Sequence, residues 1–280
     1  MLLTADIGNT SITLGIFEED ALVEEYRLAS DKDLSLEEYE VLLKSLFKEF
    51  KVDGCIISSV VEELTNKFKS AVDNVFKLNA IVLSYQINTG VEILLDNPAE
   101  AGADRIANAA GAYVLYNHPV IVVDFGTATT FDIVNEKGQF IGGVIAPGVT
   151  LQLKALNKFT SKLPRIDVTL SNAAIGHNTT DAILSGVLRG SAAMIDGLVE
   201  QCEKELGGAL YDNPENITNV SKVGKKRAVL VATGGYSGLI ANYLKRPFDF
   251  INPTLTLEGL RYLYQINKLN IVSKLQKVAH

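Results

Sequence analysis

A short sequence with the residue types of a phosphate-binding turn occurs twice in the chain. Asp6-Ile7-Gly8-Asn9-Thr10-Ser11 follows the first apolar run, and Asp124-Phe125-Gly126-Thr127-Ala128-Thr129 follows a second one, 118 positions later (124 minus 6). Glycine allows the backbone to approach a ligand closely, and turn amides with Thr or Asn side chains donate hydrogen bonds to phosphate oxygens. An Asp at the end of a strand can hold a hydrated Mg²⁺ ion. The two turns are therefore predicted to bind one polyphosphate from opposite sides of a cleft.

Glycine-rich turns also occur without any ligand. One copy alone fits an ordinary β-hairpin equally well, because Asn and Gly are common in turns; the second copy in the same context favours phosphate binding. A P-loop is excluded, since the chain has no Gly-x-x-x-x-Gly-Lys-Ser/Thr sequence. Gly234-Gly235 follows an apolar run but lacks the spacing of a dinucleotide-binding fold. It is either a helix N-terminus facing the nucleotide or a plain glycine turn.

A third candidate is Gly102-Ala103-Asp104-Arg105, at the start of a predicted helix. Alone, Asp104 is explained as a first-turn residue that favours the helix dipole. Beside a kinase-like cleft, a carboxylate next to an arginine suits phosphoryl transfer to an alcohol, because the carboxylate accepts the hydroxyl proton and the guanidinium binds an anionic group. Residues 142–148 could line an acceptor pocket or a dimer contact. Helix capping alone accounts for Asn178-Thr179.

The order of predicted elements is repeated in the two halves of the chain. In the first half, hydrophobic periodicity predicts strands at 2–6, 11–17, 21–28, 55–58 and 80–83, with helices at 35–50 and 62–76. In the second half, it predicts strands at 120–124, 129–134, 140–145, 228–232 and 248–251, with helices at 148–160, 179–206, 236–244 and 256–267. The order βββαβαβ is that of a ribonuclease-H-like domain. We expect an α/β fold of two such domains with mixed sheets, 1–117 and 118–280, divided near 116–119, with an exposed connection at 207–227.

Composition limits the classes of function. The chain has 280 residues, a net charge of −7 and a pI near 5.1, which argues against non-specific nucleic-acid binding. No window of about 18 uncharged apolar residues indicates a membrane span, and no signal peptide is expected. The two cysteines, Cys55 and Cys202, lie far apart in sequence, and we expect both to be reduced thiols in the cytoplasm, although a disulfide between them is formally possible. The histidines show no zinc-ligand spacing with them.

Taken in order, the candidate segments resemble the motifs of type III pantothenate kinases. The matching segments are Asp6-x-Gly8-Asn9-Thr10, Gly102-Ala103-Asp104-Arg105, Asp124-x-Gly126-Thr127-Ala128-x-Thr130, Gly142-Gly143-x-Ile145-x-Pro147-Gly148 and Asn178-Thr179. The first alone occurs across the acetate and sugar kinase, Hsp70 and actin superfamily, whereas the whole set is specific. The resemblance implies an actin-like kinase architecture, a homodimer, and ATP-dependent phosphorylation of pantothenate to 4′-phosphopantothenate in the first step of coenzyme A biosynthesis. It also implies Mg²⁺ and a monovalent cation such as K⁺ or NH₄⁺.

The resemblance also implies roles for individual residues. Asp124 would ligate the monovalent cation, and Asp104 would be the catalytic proton acceptor. Pantothenate would be held by Gly102, Ala103, Asp104, Arg105 and Thr179. The ATP phosphates would be bound by Asp6, Ile7, Gly8, Asn9, Thr10, Ser11, Ile12, Thr13 and Thr127. The chain departs from the family at Leu95, where the family usually has a substrate-contacting Tyr; either the contact is lost or another group such as Tyr85 supplies it.

Two other functions are compatible with these residues. A nucleotide-binding, transcription-linked accessory factor would use the same cleft without fast chemistry. A related superfamily kinase would act on another small hydroxylated acceptor, such as a sugar or a short carboxylic acid. The presence of both Asp104 and Asp124 favours a kinase, and Arg105 suits an acceptor that carries a carboxylate.

Overall fold

The computed structural model describes residues 1–116, 119–160, 166–207 and 227–278, with side chains described up to Lys268. These residues form two compact units. The first comprises Met1–Leu115, Gln139–Ile141 and Thr254–His280, and the second comprises Tyr116–Gly138 and Gly142–Pro253. The predicted boundary at 117/118 and most of the predicted connection at 207–227 lie outside the described residues, so both stay predictions.

The first unit is built on a five-stranded sheet. Its elements are β1 (Leu2–Ile7), β2 (Ser11–Glu18), β3 (Ala21–Ala29), α1 (Leu36–Leu46), β4 (Gly54–Ser59), α2 (Glu62–Phe76), β5 (Ile81–Val82), β6 (Glu92–Ile93), a 3₁₀ turn (Pro98–Glu100) and α3 (Ala103–Leu115). The sheet order is β3-β2-β1-β4-β5, with β1 antiparallel to β2 and parallel to β4. The predicted order βββαβαβ is confirmed, and β6 and the 3₁₀ turn are additions to it.

Local sequence explains why these elements begin where they do. Ser35 caps α1 through a reciprocal capping box with Glu38, which satisfies two backbone donors of the first turn. Apolar residues on one face of α2 pack against the same core as alternate residues of β1 and β2. Leu3, Ala5 and Ile7 of β1 all face this core, and a shift by one residue would move them to the other face of the sheet. The resulting register places the β1–β2 turn at the edge where β4 also ends.

The second unit repeats the mixed sheet. Its elements are β7 (Val120–Phe125), β8 (Ala128–Val134), β9 (Gln139–Pro147), α4 (Val149–Phe159), α5 (Thr179–Leu206), β10 (Val229–Gly234), α6 (Ser237–Ala241) and β11 (Phe250–Ile251). The strand order is β11-β10-β7-β8-β9, with β7 antiparallel to β8 and parallel to β10. The first residues of β9, Gln139 and Phe140, pair with β6 and count with the first unit.

The last helix differs from its prediction in length and in grouping. It runs as α7 (Leu255–Val278), not 256–267, and it packs with the first unit, whereas the sequence prediction counted it with the second domain. The reason is a close helix contact with α3, where a Cβ on Gly111 would lie 3.1 Å from the Cα of Gly259. Small residues at such a crossing let the two backbones approach, and Ile106, Ala110, Leu260 and Leu263 are buried in one cluster there.

Helix α5 is the one helix among the described residues whose length and apolar composition would allow it to span a membrane. Its buried residues, including Leu188, Ala192 and Ile195, instead belong to the core of the second unit. This is the behaviour of a core helix.

Each unit also buries one cysteine. Cys55 lies in the core of the first unit and Cys202 in the core of the second, and both are free thiols. Burial raises the pKa of both thiols.

Candidate functional site

The β1–β2 turn is fixed by backbone hydrogen bonds and by one serine. The Gly8 N–H donates to the Ser11 carbonyl at 3.0 Å. Ser30 holds the turn from outside, since its N–H donates to the Thr10 carbonyl at 3.1 Å and its hydroxyl donates to the Gly8 carbonyl at 2.5 Å. The side chains of Asn9 and Thr10 are exposed. The turn is thus a rigid support that presents polar side chains outward.

Asp6 lies at the end of β1, next to this turn. Its Oδ1 accepts a hydrogen bond from the Ser58 hydroxyl at 2.8 Å, because β1 and β4 are parallel and Asp6 pairs with Ser58 in register. A cavity of about 380 Å³ lies beside the turn. It is lined by Asn9, Lys32, Val60, Val61, Glu62, Glu63 and Asn66. The first hairpin therefore has a half-buried carboxylate, exposed donors and adjacent open space.

The β7–β8 turn is the second predicted phosphate hairpin. Gly126 and Thr127 are exposed at its tip. The residue before α4 packs against it, because the Gly148 N–H donates to the Thr127 carbonyl at 3.1 Å. A Cβ on Gly148 would lie 2.6 Å from the Gly126 carbonyl oxygen. Only glycine fits at 148 without moving the turn, so the Gly142–Gly148 segment positions this hairpin.

Asp124 lies in a row of oxygen-bearing side chains across three strands. It pairs in register with Thr233 of β10 on one side and with Thr130 of β8 on the other, so the three side chains share one face of the sheet. Thr233 is 1% exposed, and its hydroxyl has no hydrogen-bond partner among the described residues. Gly234 adopts a φ of 81°, and a Cβ there would lie 2.6 Å from Asp124 Oδ1.

This row of oxygens fits a hard cation. Carboxylate and hydroxyl oxygens are the ligands that such ions prefer, and a buried hydroxyl without a partner costs free energy unless something binds it. Within the described ranges, no group of three or more His, Cys, Asp or Glu residues forms a metal cluster. The donor set at Asp124 therefore suits an ion that accepts neutral oxygens rather than zinc.

The predicted acceptor segment begins α3. The Arg105 N–H donates to Asp104 Oδ1 at 2.8 Å, and a Cβ on Gly102 would lie 2.5 Å from the same oxygen. Glycine at 102 therefore leaves room for the carboxylate. Burial raises the pKa of Asp104 above its ordinary value, while the Arg105 backbone hydrogen bond and the Arg105 charge offset part of that rise. A carboxylate with a raised pKa is a better proton acceptor.

Thr179 begins α5, directly after its cap. Asn178 caps the helix, since its side chain accepts from the Asp181 N–H at 2.9 Å. Thr179 is exposed, so its hydroxyl can be reached by a ligand. The capping role considered for Asn178 is thus observed, and the substrate role of Thr179 stays a prediction. Tyr85, suggested as a substitute at Leu95, is 41% exposed and stays a prediction as well.

The sequence-predicted residues fall into two groups. The first unit holds residues 6–13 and the segment Gly102–Arg105, and the second holds Asp124, Thr127 and Thr179. The sequence pattern did not indicate Ser58, Thr233 or Phe140 as neighbours of these residues. Each is identified by strand register or by a ring contact over a long sequence separation. None of them carries a local sequence signal.

Comparison with known proteins places the chain in a family. Residues 2–201 match the family described as type III pantothenate kinase. A type III pantothenate kinase of Dehalococcoides mccartyi (strain CBDB1) is 42% identical over 96% of this chain and 97% of its own length. The chain belongs to the type III pantothenate kinase family. Another member, from Citrifermentans bemidjiense, is 39% identical over 96% of this chain and its full length, 100%.

Solved structures agree on the fold. A Baf family transcriptional activator from Campylobacter jejuni matches with a TM-score of 0.57 at 22% identity, covering 95% of this chain and 98% of its own. MreB5 of Spiroplasma citri, bound to ADP, matches with a TM-score of 0.51 at 13% identity, covering 96% and 98% of the two chains. At these identities the likeness concerns the fold alone. It confirms the predicted α/β class with two ribonuclease-H-like parts and mixed sheets, as in actin-like kinases.

Proposed function

We propose that this protein transfers the γ-phosphoryl group of ATP to the primary hydroxyl of pantothenate, giving 4′-phosphopantothenate for coenzyme A biosynthesis. The observation that carries the proposal is membership of the type III pantothenate kinase family over nearly the whole chain. Asp104, with its raised pKa beside Arg105, supplies the acid–base group that this reaction needs.

The ATP phosphates bind at the two hairpins in this proposal. The backbone amides and the exposed Asn9 and Thr10 side chains of the first turn donate to phosphate oxygens, as does Thr127 in the second. Asp6, whose Oδ1 accepts from the Ser58 hydroxyl, would hold a hydrated Mg²⁺ ion by accepting hydrogen bonds from its water ligands. Bound Mg²⁺ supplies charge neutralisation on the transferring phosphoryl group. The rigid support from Ser30 and Gly148 keeps the donors in place before ATP binds.

Asp104 accepts the proton of the acceptor hydroxyl. The hydroxyl oxygen forms a bond to the γ-phosphorus, the bond from that phosphorus to the bridging oxygen breaks, and ADP leaves with the electron pair. An alcohol is not ionised at neutral pH, so its proton moves to Asp104 late in the step. Arg105 binds the carboxylate of pantothenate, and Gly102, Ala103 and Thr179 complete the acceptor site. Catalysis then depends mainly on positioning and charge neutralisation.

Asp124 holds the monovalent cation, K⁺ or NH₄⁺. The support is the row of oxygens that Asp124 shares with Thr130 and Thr233, together with the buried Thr233 hydroxyl that lacks a partner among the described residues. The chemistry that the ion supplies is neutralisation of negative charge next to the phosphates.

The protein forms a homodimer in the cytoplasm in this proposal. Exposed apolar residues on β9 and α4 support an interface in the second unit, since Ile145 is 65% and Leu151 44% exposed. Contiguous exposed apolar residues commonly mark sites of protein association. The acidic net charge of −7 and the two free cysteines suit a soluble cytoplasmic protein without nucleic-acid or membrane partners.

One assay tests the reaction. Purified protein is incubated with ATP, Mg²⁺ and pantothenate, with K⁺ or with Na⁺, and phosphopantothenate is measured by mass. We expect product that depends on all three components and increases with K⁺. Sugars and short hydroxy acids run in parallel identify a different kinase if they are phosphorylated instead. No product from any acceptor would favour the accessory-factor function.

A further inference from the structure

Phe140 lies beneath the guanidinium of Arg105. The ring is fully buried, with 0% exposure, and the Arg105 guanidinium carbon lies 5.5 Å from the ring centroid. A guanidinium at this distance is attracted by the negative face of the ring. The contact therefore restricts where the charged end of Arg105 can lie, in a way that backbone hydrogen bonds of α3 do not.

The ring itself is fixed by a short strand pair. Phe140 pairs in register with Ile93 of β6, and its carbonyl accepts from the Leu94 N–H at 2.8 Å. The side chain of Gln139 donates to Glu92 at 2.5 Å across the same pair. The backbone of Phe140 in β9 is therefore bonded to β6, and the chain continues from β6 through the 3₁₀ turn to the start of α3. The strand pair thus links the residue that carries the ring to the segment that carries Arg105.

We propose that Phe140 is a positioning residue that sets acceptor specificity through Arg105. A guanidinium is a planar fork of N–H donors that matches a carboxylate in a bidentate contact, so its position decides whether that contact can form. Phe140 thereby aims Arg105 at the carboxylate end of the acceptor and selects acceptors that carry one. The inference rests on the proposed function, since it assumes that Arg105 binds the pantothenate carboxylate.

The leucine at position 95 makes the contact between Phe140 and Arg105 more important for acceptor specificity in this chain. Leu95 stands where the family usually has a Tyr, and it directly follows Leu94, whose N–H is bonded to Phe140. Leucine at 95 cannot make the hydrogen bond or the ring contact that a tyrosine there would offer to the acceptor. Discrimination among acceptors then depends more strongly on the Arg105 interaction.

The test compares Phe140→Leu with the matched variant Phe17→Leu. Phe17 is also buried, and the guanidinium carbon of Arg261 lies 5.8 Å from its ring, but it is not near the acceptor segment in sequence or pairing. The two acceptors are pantothenate and the N-propyl amide of pantoic acid, in which a methyl group replaces the carboxylate. For each protein, kcat and KM are measured with both acceptors and with ATP.

The expected result is a change in specificity. Phe140→Leu raises KM for pantothenate by about 3- to 30-fold, in line with cation–π contributions, with kcat and the KM for ATP unchanged. The preference for pantothenate over the amide falls by the same factor. Phe140→Tyr keeps the preference, Phe17→Leu leaves it unchanged, and in an Arg105→Gln background Phe140→Leu has no further effect.

Several outcomes would overturn the inference. An equal loss with both acceptors, or the same loss in Phe17→Leu, would show a purely structural role. If Phe140→Leu does not fold, Phe140→Met, which keeps unbranched bulk, takes its place. Calorimetric titration of pantothenate in the presence of ADP tests the inference without turnover. An unchanged affinity of Phe140→Leu for pantothenate overturns the positioning role. If the wild type binds pantothenate but does not phosphorylate it, the proposed function alone is overturned.

Discussion

Arg105 donates its backbone N–H to the carboxylate of Asp104 at 2.8 Å, so the two residues of the acceptor segment are joined by more than adjacency. The hydrogen bond turns Oδ1 back toward the helix start, where Gly102 makes room for it. The carboxylate is thus held in one orientation and is half-buried at the start of α3, where we propose that it accepts the acceptor proton. Its chemistry and its effect on stability can be tested separately.

Replacing Asp104 with Asn is expected to lower turnover. The amide keeps the shape and can still accept from Arg105, but it cannot take the hydroxyl proton. We expect kcat to fall by about 10²-fold or more, with pantothenate affinity changed only a few-fold. Asp96→Asn, the same substitution at an exposed residue before the 3₁₀ turn, serves as the control. Near-normal kcat in Asp104→Asn would remove Asp104 from the proton transfer.

The same substitution is expected to stabilise the protein at neutral pH. Burial raises the pKa of Asp104 in the folded state above its unfolded value, so the folded state binds the proton more tightly. The free energy of unfolding therefore falls as pH rises through the interval between the two pKa values. Asp104→Asn removes this loss, so the free energy of unfolding of the variant exceeds that of the wild type at pH 7, and the difference shrinks toward pH 4. Urea unfolding at both pH values measures the difference. A difference that grows at low pH would contradict a raised pKa of Asp104 in the folded state.

The Thr233 hydroxyl is expected to be needed for the stabilisation of the protein by K⁺. With ADP and Mg²⁺ present, K⁺ raises the melting temperature of the wild type relative to Na⁺ by linkage, roughly 2–4 °C per kcal/mol of binding. Thr233→Val keeps the shape and breaks no hydrogen bond that the structure describes, so stability in Na⁺ is kept while the K⁺ increment is lost.

Thr129→Val is the matched control for Thr233. Its hydroxyl is also buried and lacks a partner among the described residues. However, Thr129 pairs with Phe125, one position along from Asp124, so its side chain points to the opposite face of the sheet. The K⁺ increment should survive in this variant. Its loss in both variants, or in neither, would exclude a ligand role for Thr233.

Gly148→Ala is expected to weaken ATP binding. The new Cβ would lie 2.6 Å from the Gly126 carbonyl oxygen, so the second hairpin must shift. Overpacking of this kind costs about 1–3 kcal/mol, which corresponds to an increase of roughly 5- to 150-fold in the KM for ATP if the shift falls on the phosphate donors. Gly190→Ala in α5, where a Cβ meets nothing within 4 Å, is the control. Equal KM values for ATP in the two variants would show that the β7–β8 turn does not bind ATP.

Ile145→Glu is expected to yield a monomer. A charge at the exposed Ile145 would be buried unpaired if the exposed apolar residues of β9 and α4 form the interface. Light scattering after gel filtration measures the mass. Val41→Glu is the control, because Val41 in the first unit is 66% exposed and Ile145 is 65% exposed. Dimers in both variants would place the interface elsewhere.

Most of the fold could be predicted because it is expressed in local patterns. The alternation of β1 and β2 and the capping box at Ser35 identify their elements within a few residues. The two-residue strand β6 was missed, since two residues carry no periodicity. The grouping of α7 was also missed, because the contact between Gly111 and Gly259 is made across a long stretch of chain.

The candidate site divides in the same way. Asp6, Asp104 and Asp124 were found because each stands in a short sequence of recognisable composition. Thr233 and Phe140 were not, since their place beside Asp124 and Arg105 follows from strand register and from a ring contact between distant segments. A single threonine in an apolar strand is compositionally ordinary until its neighbours are known.

The burial of one thiol in each core makes the two units separately observable. Cys55 and Cys202 are the chain's whole cysteine complement, and both are shielded in the native state. An alkylating reagent can reach either sulfur only after its own unit opens, so the labelling rate at each position reports the opening free energy of that unit. Mass spectrometry of the two labelled peptides, with and without nucleotide, would then show which half of the enzyme a bound ligand tightens.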